Sequence, residues 1–206
     1  GHAIEELDLY GYSNFDVATR TDWMNSLDSM ATWFVANDDA SFAADLEPFG
    51  QRYFLRAAAL QRASILTGEI AFAHEASWYL SQGFSKLRLD GVLPERDGFD
   101  LNYQSLALKY AGEFFRMTED TLQKESIRYL FEVSLPWIAE RIDEHGYANL
   151  SDSTRMQELS RDGSCKQFDS INAVRGYLSG FEVTGNETWL NLANAVFQCD
   201  TSALPA

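Results

Sequence analysis

The sequence predicts an all-α fold, an array of about seven helices paired as antiparallel helical hairpins. Three observations carry this. Apolar residues recur at helical spacing along most of the chain, and alternating strand patterns are essentially missing. Short joints between helices alternate with long ones. Two of the short joints place a glycine just past an apolar helix, where a left-handed residue commonly ends the turn.

The elements follow in order. A first helix runs from Thr21, which can cap it, to about Asn37, with Trp23, Leu27, Met30, Trp33 and Phe34 on one apolar stripe. Pro48 suits the first turn of a second helix that extends to about Leu66. The third spans about Glu69 to Leu87 and the fourth Asp100 to Met117. The fifth runs from Asp120 to about Asp143, with a kink expected at Pro136. Phe168 to Val183 gives the sixth and Glu187 to Gln198 the seventh. Residues 1–20 then form an N-terminal extension, 21–200 one helical domain and 201–206 a tail.

The tight joints are Thr67-Gly68-Glu69, Thr118-Glu119-Asp120 and Thr184-Gly185-Asn186-Glu187. The long ones are Asp38 to Glu47, Arg88 to Phe99 and Glu144 to Gln167. In antiparallel pairs every tight turn lies at one end of the stack and every long loop at the other. Long loops on a rigid scaffold are where binding and catalytic groups collect. The functional face is therefore expected at the long-loop end.

Charge narrows the partners. The formal net charge is −15, from 31 acidic and 16 basic residues. Such a chain repels phosphate backbones, and its basic residues are scattered singly, so no nucleic-acid partner is expected. No apolar run approaches the roughly 20 residues that span a bilayer, so no membrane partner is expected either. No basic-then-apolar leader opens the chain, so a signal peptide is taken as absent or already removed. Cys165 precedes the sixth helix and Cys199 ends its antiparallel partner, which puts both thiols at one end. A disulfide there would imply a periplasmic or secreted protein; two independent thiols are the alternative.

The densest polar segment is Leu93 to Gln104, on a long loop running into a helix N-terminus. Asp97, Asp100 and Tyr103 are the candidate catalytic groups, with Arg96, Asn102 and Gln104 as substrate ligands. Two carboxylates can serve glycoside hydrolysis as acid and as base or nucleophile. Tyr103 could instead move protons while Arg96 and Asn102 neutralise a uronate carboxylate, as β-elimination requires. The plainer alternative is that Asp100 only caps its helix and Arg96 only pairs with Glu95 or Asp97. Arg52 and Tyr53 on the second helix, and His145 and Tyr147 on the third long loop, are expected on the same face as substrate ligands. His74 sits mid-helix and reads as a packing or surface residue. Trp78, Trp137 and Trp189 fall in the second helix of each pair and read as core rather than sugar platforms. No metal signature, phosphate loop or dinucleotide fingerprint occurs, so neither metal nor cofactor is expected.

The helix-pair array from about Thr21 to Cys199, with the Pro94-Glu95-Arg96-Asp97-Gly98-Phe99-Asp100-Leu101-Asn102-Tyr103-Gln104 entry, resembles the α/α-toroid families, the six-hairpin glycosidases and related polysaccharide lyases. The resemblance implies an incomplete α/α toroid in which helices two, four and six are inner and line a groove. It implies a carbohydrate-active domain, lyase or glycoside hydrolase, acting on an exported, uronate-containing polysaccharide or oligosaccharide. About three and a half helix pairs are too few to close such a ring. An open arc, part of a larger protein, or a unit completed by a second copy in a homo-oligomer would each account for that. No family active site matches residue by residue. The alternative function is a non-catalytic helical-repeat module that binds a glycan or a protein.

Overall fold

The computed structural model describes residues 16–37, 49–154 and 168–202, the last three without their side chains. Seven helices run through them: α1 (Val17–Ala36), α2 (Gly50–Thr67), α3 (Ile70–Ser85), α4 (Leu101–Met117), α5 (Thr121–Ala139), α6 (Ser170–Thr184) and α7 (Glu187–Ser202). The protein is all-helical, and no helix among the described residues is long and apolar enough to cross a membrane.

Helices α2, α4 and α6 form a central row, with α4 touching both neighbours. A second layer flanks it: α3 packs on α2, α5 on both α4 and α6, α7 on α6, and α1 against α2 and α3. The row is parallel. Gly176 of α6 lies so near the Ser105 carbonyl of α4 that a Cβ there would sit 2.8 Å from it. Gly112 and Ser179 meet further along in the same direction on both helices, about two turns on for α4 and just under one for α6. Small residues let the backbones approach, and the buried Tyr177 hydroxyl, 3.5 Å from Ser105 Oγ, fills the crossing. Around it lie fully buried Phe54, Tyr79, Leu101, Leu108, Phe114, Ile127, Phe131 and Leu135, one continuous core.

The three tight joints share one device. Each row helix has a threonine at its end, the last residue of α2 and α6 and the one just past α4, whose Oγ1 accepts the backbone N–H two residues on: Glu69 to Thr67, Asp120 to Thr118, Asn186 to Thr184. Gly68 and Gly185 take the left-handed conformation expected of them. Asp100, Asp120 and Asp169 cap α4, α5 and α6 through their side chains.

Three expectations change. The cap of α1 is Asp16, four residues before its first turn closes, and Thr21 lies inside the helix with its hydroxyl on the Val17 carbonyl. The apolar stripe of α1 is only partly covered: Leu27 and Phe34 pack on the core, while Trp23, Met30 and Trp33 stay exposed. Helix α5 continues through Pro136 but stops at Ala139, because residues 142–148 turn back on themselves as a small hairpin. Cys165, and with it the disulfide to Cys199, lies outside the described residues, as does Pro48.

Candidate functional site

The loop from 88 to 100 is the hub of the long-loop end. It joins α2, whose Gly50 N–H donates to the Pro94 carbonyl at 3.0 Å. It joins the third long loop through Thr154, whose N–H donates to the Phe99 carbonyl at 2.8 Å and whose Oγ1 donates to the Glu95 and Phe99 carbonyls. The first turn of α4, which follows it, reaches the start of α6 through Asn102, whose Oδ1 accepts the Asp169 N–H at 2.6 Å. The starts of all three row helices and two long loops thus meet at one end. Two residues there, Arg96 and Asp152, have positive φ (55° and 68°), and they are the only non-glycine residues so held among the described ones. Such backbone is kept only where its surroundings enforce it, and it concentrates at functional sites.

The candidate residues divide into three groups. The first stays on this polar platform. Asp97 and Arg96 are exposed at the tip of the turn, and Tyr103 and Asn102 are half-buried on the first turn of α4. Arg52 joins them through Phe49: its guanidinium lies 3.9 Å from the ring centroid, and that of Arg96 lies 5.9 Å from the same ring.

A second group is consumed by the scaffold. Asp100 is buried, with Oδ1 accepting the Tyr103 N–H at 3.0 Å and Oδ2 accepting the Ser153 hydroxyl at 2.7 Å. Gln104 is buried too. Its Oε1 accepts the Leu93 N–H, and its Nε2 donates to the Gly91 carbonyl and to Ser134 Oγ. Neither side chain faces solvent, so both are corrected from ligand or catalyst to fastener. Tyr53 is corrected likewise: it is 4% exposed, inside the core, with its ring 6.4 Å from that of Tyr79.

The third group lies elsewhere. His145 and Tyr147 line a separate hollow with Glu144, Ala195, Gln198 and Cys199, between the third loop and α7. There the His145 imidazole stands 3.7 Å from the Glu144 carboxylate, and both are exposed. Of the tryptophans expected in the core, Trp189 is buried and Trp137 half-buried, whereas Trp78 is exposed, packed edge-on against Tyr79.

Sequence reasoning missed a groove of about 510 Å³ along the open faces of α4 and α6, lined by Lys109, Glu113, Arg116, Arg175, Leu178, Ser179 and Glu182. It adjoins the platform through Asn172, which accepts from Lys109 Nζ at 3.3 Å and donates to Asp169 Oδ2 at 2.6 Å. Arg62 of α2 is within electrostatic reach of Glu113 and Arg116; burial lowers its pKa and the Glu113 charge opposes this. Burial, and then Glu113, raise the Tyr110 pKa, with Arg175 opposing them, so its phenol stays protonated. A signal existed in the spacing: Lys109, Glu113 and Arg116 repeat at four and three residues, and Arg175 and Glu182 at seven, each set on one helix face. No protein-family model matches this chain, and no curated protein matches it.

Proposed function

We propose that this domain acts on a uronate-containing polysaccharide, held across the platform and along the α4–α6 groove, and cleaves it by β-elimination. The observation that carries the reading is the meeting of two long loops with three helix starts at one polar end. A hydroxyl-rich ligand is met there by an amide, a carboxylate, guanidiniums and a phenol, with the Arg52 guanidinium braced on the Phe49 ring. Elimination is favoured over hydrolysis because Asp100, one of the two carboxylates hydrolysis would need, is occupied by a backbone N–H and by Ser153. In the proposed step the deprotonated Tyr103 oxygen takes the proton α to the uronate carboxylate, whose charge Arg96 or Arg52 offsets. The C–O bond to the leaving sugar then breaks, and the leaving oxygen takes up the proton that Tyr103 has gained, which returns Tyr103 to its starting form. One fragment gains a carbon–carbon double bond, the other a free end, and no water is consumed.

The test is turnover on a panel of uronate and neutral polymers, following unsaturated-product absorbance together with new reducing ends. Expected is a parallel rise of both on uronate polymers, falling about 100-fold or more in Tyr103→Phe. Reducing ends without absorbance, lost in Asp97→Asn, would mean hydrolysis instead. No product from any polymer would remove catalysis from the account.

A further inference from the structure

We propose that the α4–α6 groove is an anion subsite, in which Lys109 and Arg175 grasp a carboxylate or sulfate group carried by the glycan; this rests on the carbohydrate reading above. Four cations, Arg62, Lys109, Arg116 and Arg175, gather around two carboxylates, Glu113 and Glu182. The patch is net positive on a chain whose formal charge is −15. Basic residues scattered along the sequence have been collected by folding.

Internal pairing does not exhaust these cations. Arg116 Nη1 meets Glu182 Oε2 at 2.6 Å, and Arg62 sits by Glu113. Among the described residues Lys109 has only a neutral partner within hydrogen-bond distance, the Asn172 amide, and otherwise lies 4.8 Å from the Tyr110 ring centroid. Arg175 is exposed and makes no hydrogen bond or ion pair among the described residues. Two cations on facing helices, neither paired with a carboxylate among the described residues, open onto the same groove. A guanidinium offers a planar fork and an ammonium a point charge, a pairing suited to an oxyanion held from two sides. The groove also adjoins the platform through Asn172, so an extended ligand can reach both.

The experiment is calorimetric binding of three oligosaccharides of equal length: a uronate, a sulfated sugar lacking carboxylates, and a neutral one. Wild type is compared with Arg175→Ala and Lys109→Ala, each checked for an unchanged melting temperature. The expected result is at least about tenfold tighter binding of one or both anionic sugars, a gap that narrows with added salt. Each variant should lose about tenfold on the anionic ligand and nothing on the neutral one. Preference for the uronate or for the sulfated sugar identifies the source of the anion, and either supports the subsite. Neutral and anionic sugars binding alike, or folded variants binding the anionic sugar as wild type does, would overturn it. Anionic binding that survives while the elimination assay fails removes only the proposed chemistry. Failure of all three sugars to bind removes the carbohydrate reading and the subsite with it.

Discussion

The loops that follow α3 and α5 solve one problem in two ways. Each must leave a second-layer helix, turn back, and pass beneath the next helix of that layer. Each does so with a left-handed glycine, Gly91 at φ 79° and Gly146 at φ 87°. A Cβ on Gly91 would lie 2.1 Å from the Val133 carbonyl of α5, and one on Gly146 2.4 Å from the Ala195 carbonyl of α7. What holds the loops differs. The first is clamped from outside: the Gly91 carbonyl accepts Gln104 Nε2 at 3.0 Å and Ser134 Oγ at 2.6 Å, both buried. The second is held by itself in its first turn, residues 142–148: Asp143 Oδ1 accepts the backbone N–H groups of His145 and Tyr147, and residues 142 and 148 bridge. A loop clipped by buried, distant partners is part of the core. One clipped by its own exposed aspartate is decoration that can vary.

The largest expected effect tests that contrast at the glycines. Gly91→Ala combines a left-handed φ with a backbone clash against α5, which packs on both α4 and α6 and cannot shift alone. A loss of about 3 kcal/mol or more is expected from urea unfolding. Gly146→Ala faces the same φ and a similar clash, but α7 packs chiefly on α6 and can move. About 1–2 kcal/mol is expected there. Equal losses would mean that the two loops are held alike and the contrast is empty.

Next comes the clamp. Gln104→Ala leaves the Leu93 N–H buried without its acceptor and opens space beneath the loop, since Ser134 still serves the Gly91 carbonyl. About 2–3 kcal/mol is expected, together with faster amide exchange at Leu93. A loss under about 0.5 kcal/mol would show that water replaces the amide and that the loop is not core.

What was legible in the sequence follows the range of the interactions. Helix starts with their own caps, such as Asp120 and Asp169, and the glycine-ended turns at 68 and 185 are local, and local chemistry is visible in a string of residues. The helix pairs are visible because short and long joints alternate. Thr21 misled because a hydroxyl caps a helix end and bonds within a helix equally well, and only the preceding Asp16 decides between them. Asp97, Arg96, Asn102 and Tyr103 were found as a polar run, but Gln104 and Asp100 in the same run point inward, and four residues of spacing do not reveal that. Arg175 is legible as a basic residue of the long-loop face, but its partner Lys109 is not, because the two meet only across helices 66 positions apart in the chain, through the parallel packing of α4 on α6.

The smallest expected effect belongs to the self-held loop. Asp143→Ala removes one exposed acceptor of two backbone N–H groups, both of which water can reach. About 1 kcal/mol or less is expected, because the 142–148 bridge and the Asn149 N–H to Arg141 carbonyl bond at 2.7 Å survive. Asp143→Asn keeps an acceptor and should restore most of that loss, which separates the turn chemistry from the charge. A loss as large as that of Gln104→Ala would mean the second loop carries core energy through a single exposed carboxylate. The hollow it borders, with His145 and Tyr147, would then be as firmly built as the platform at 94–104.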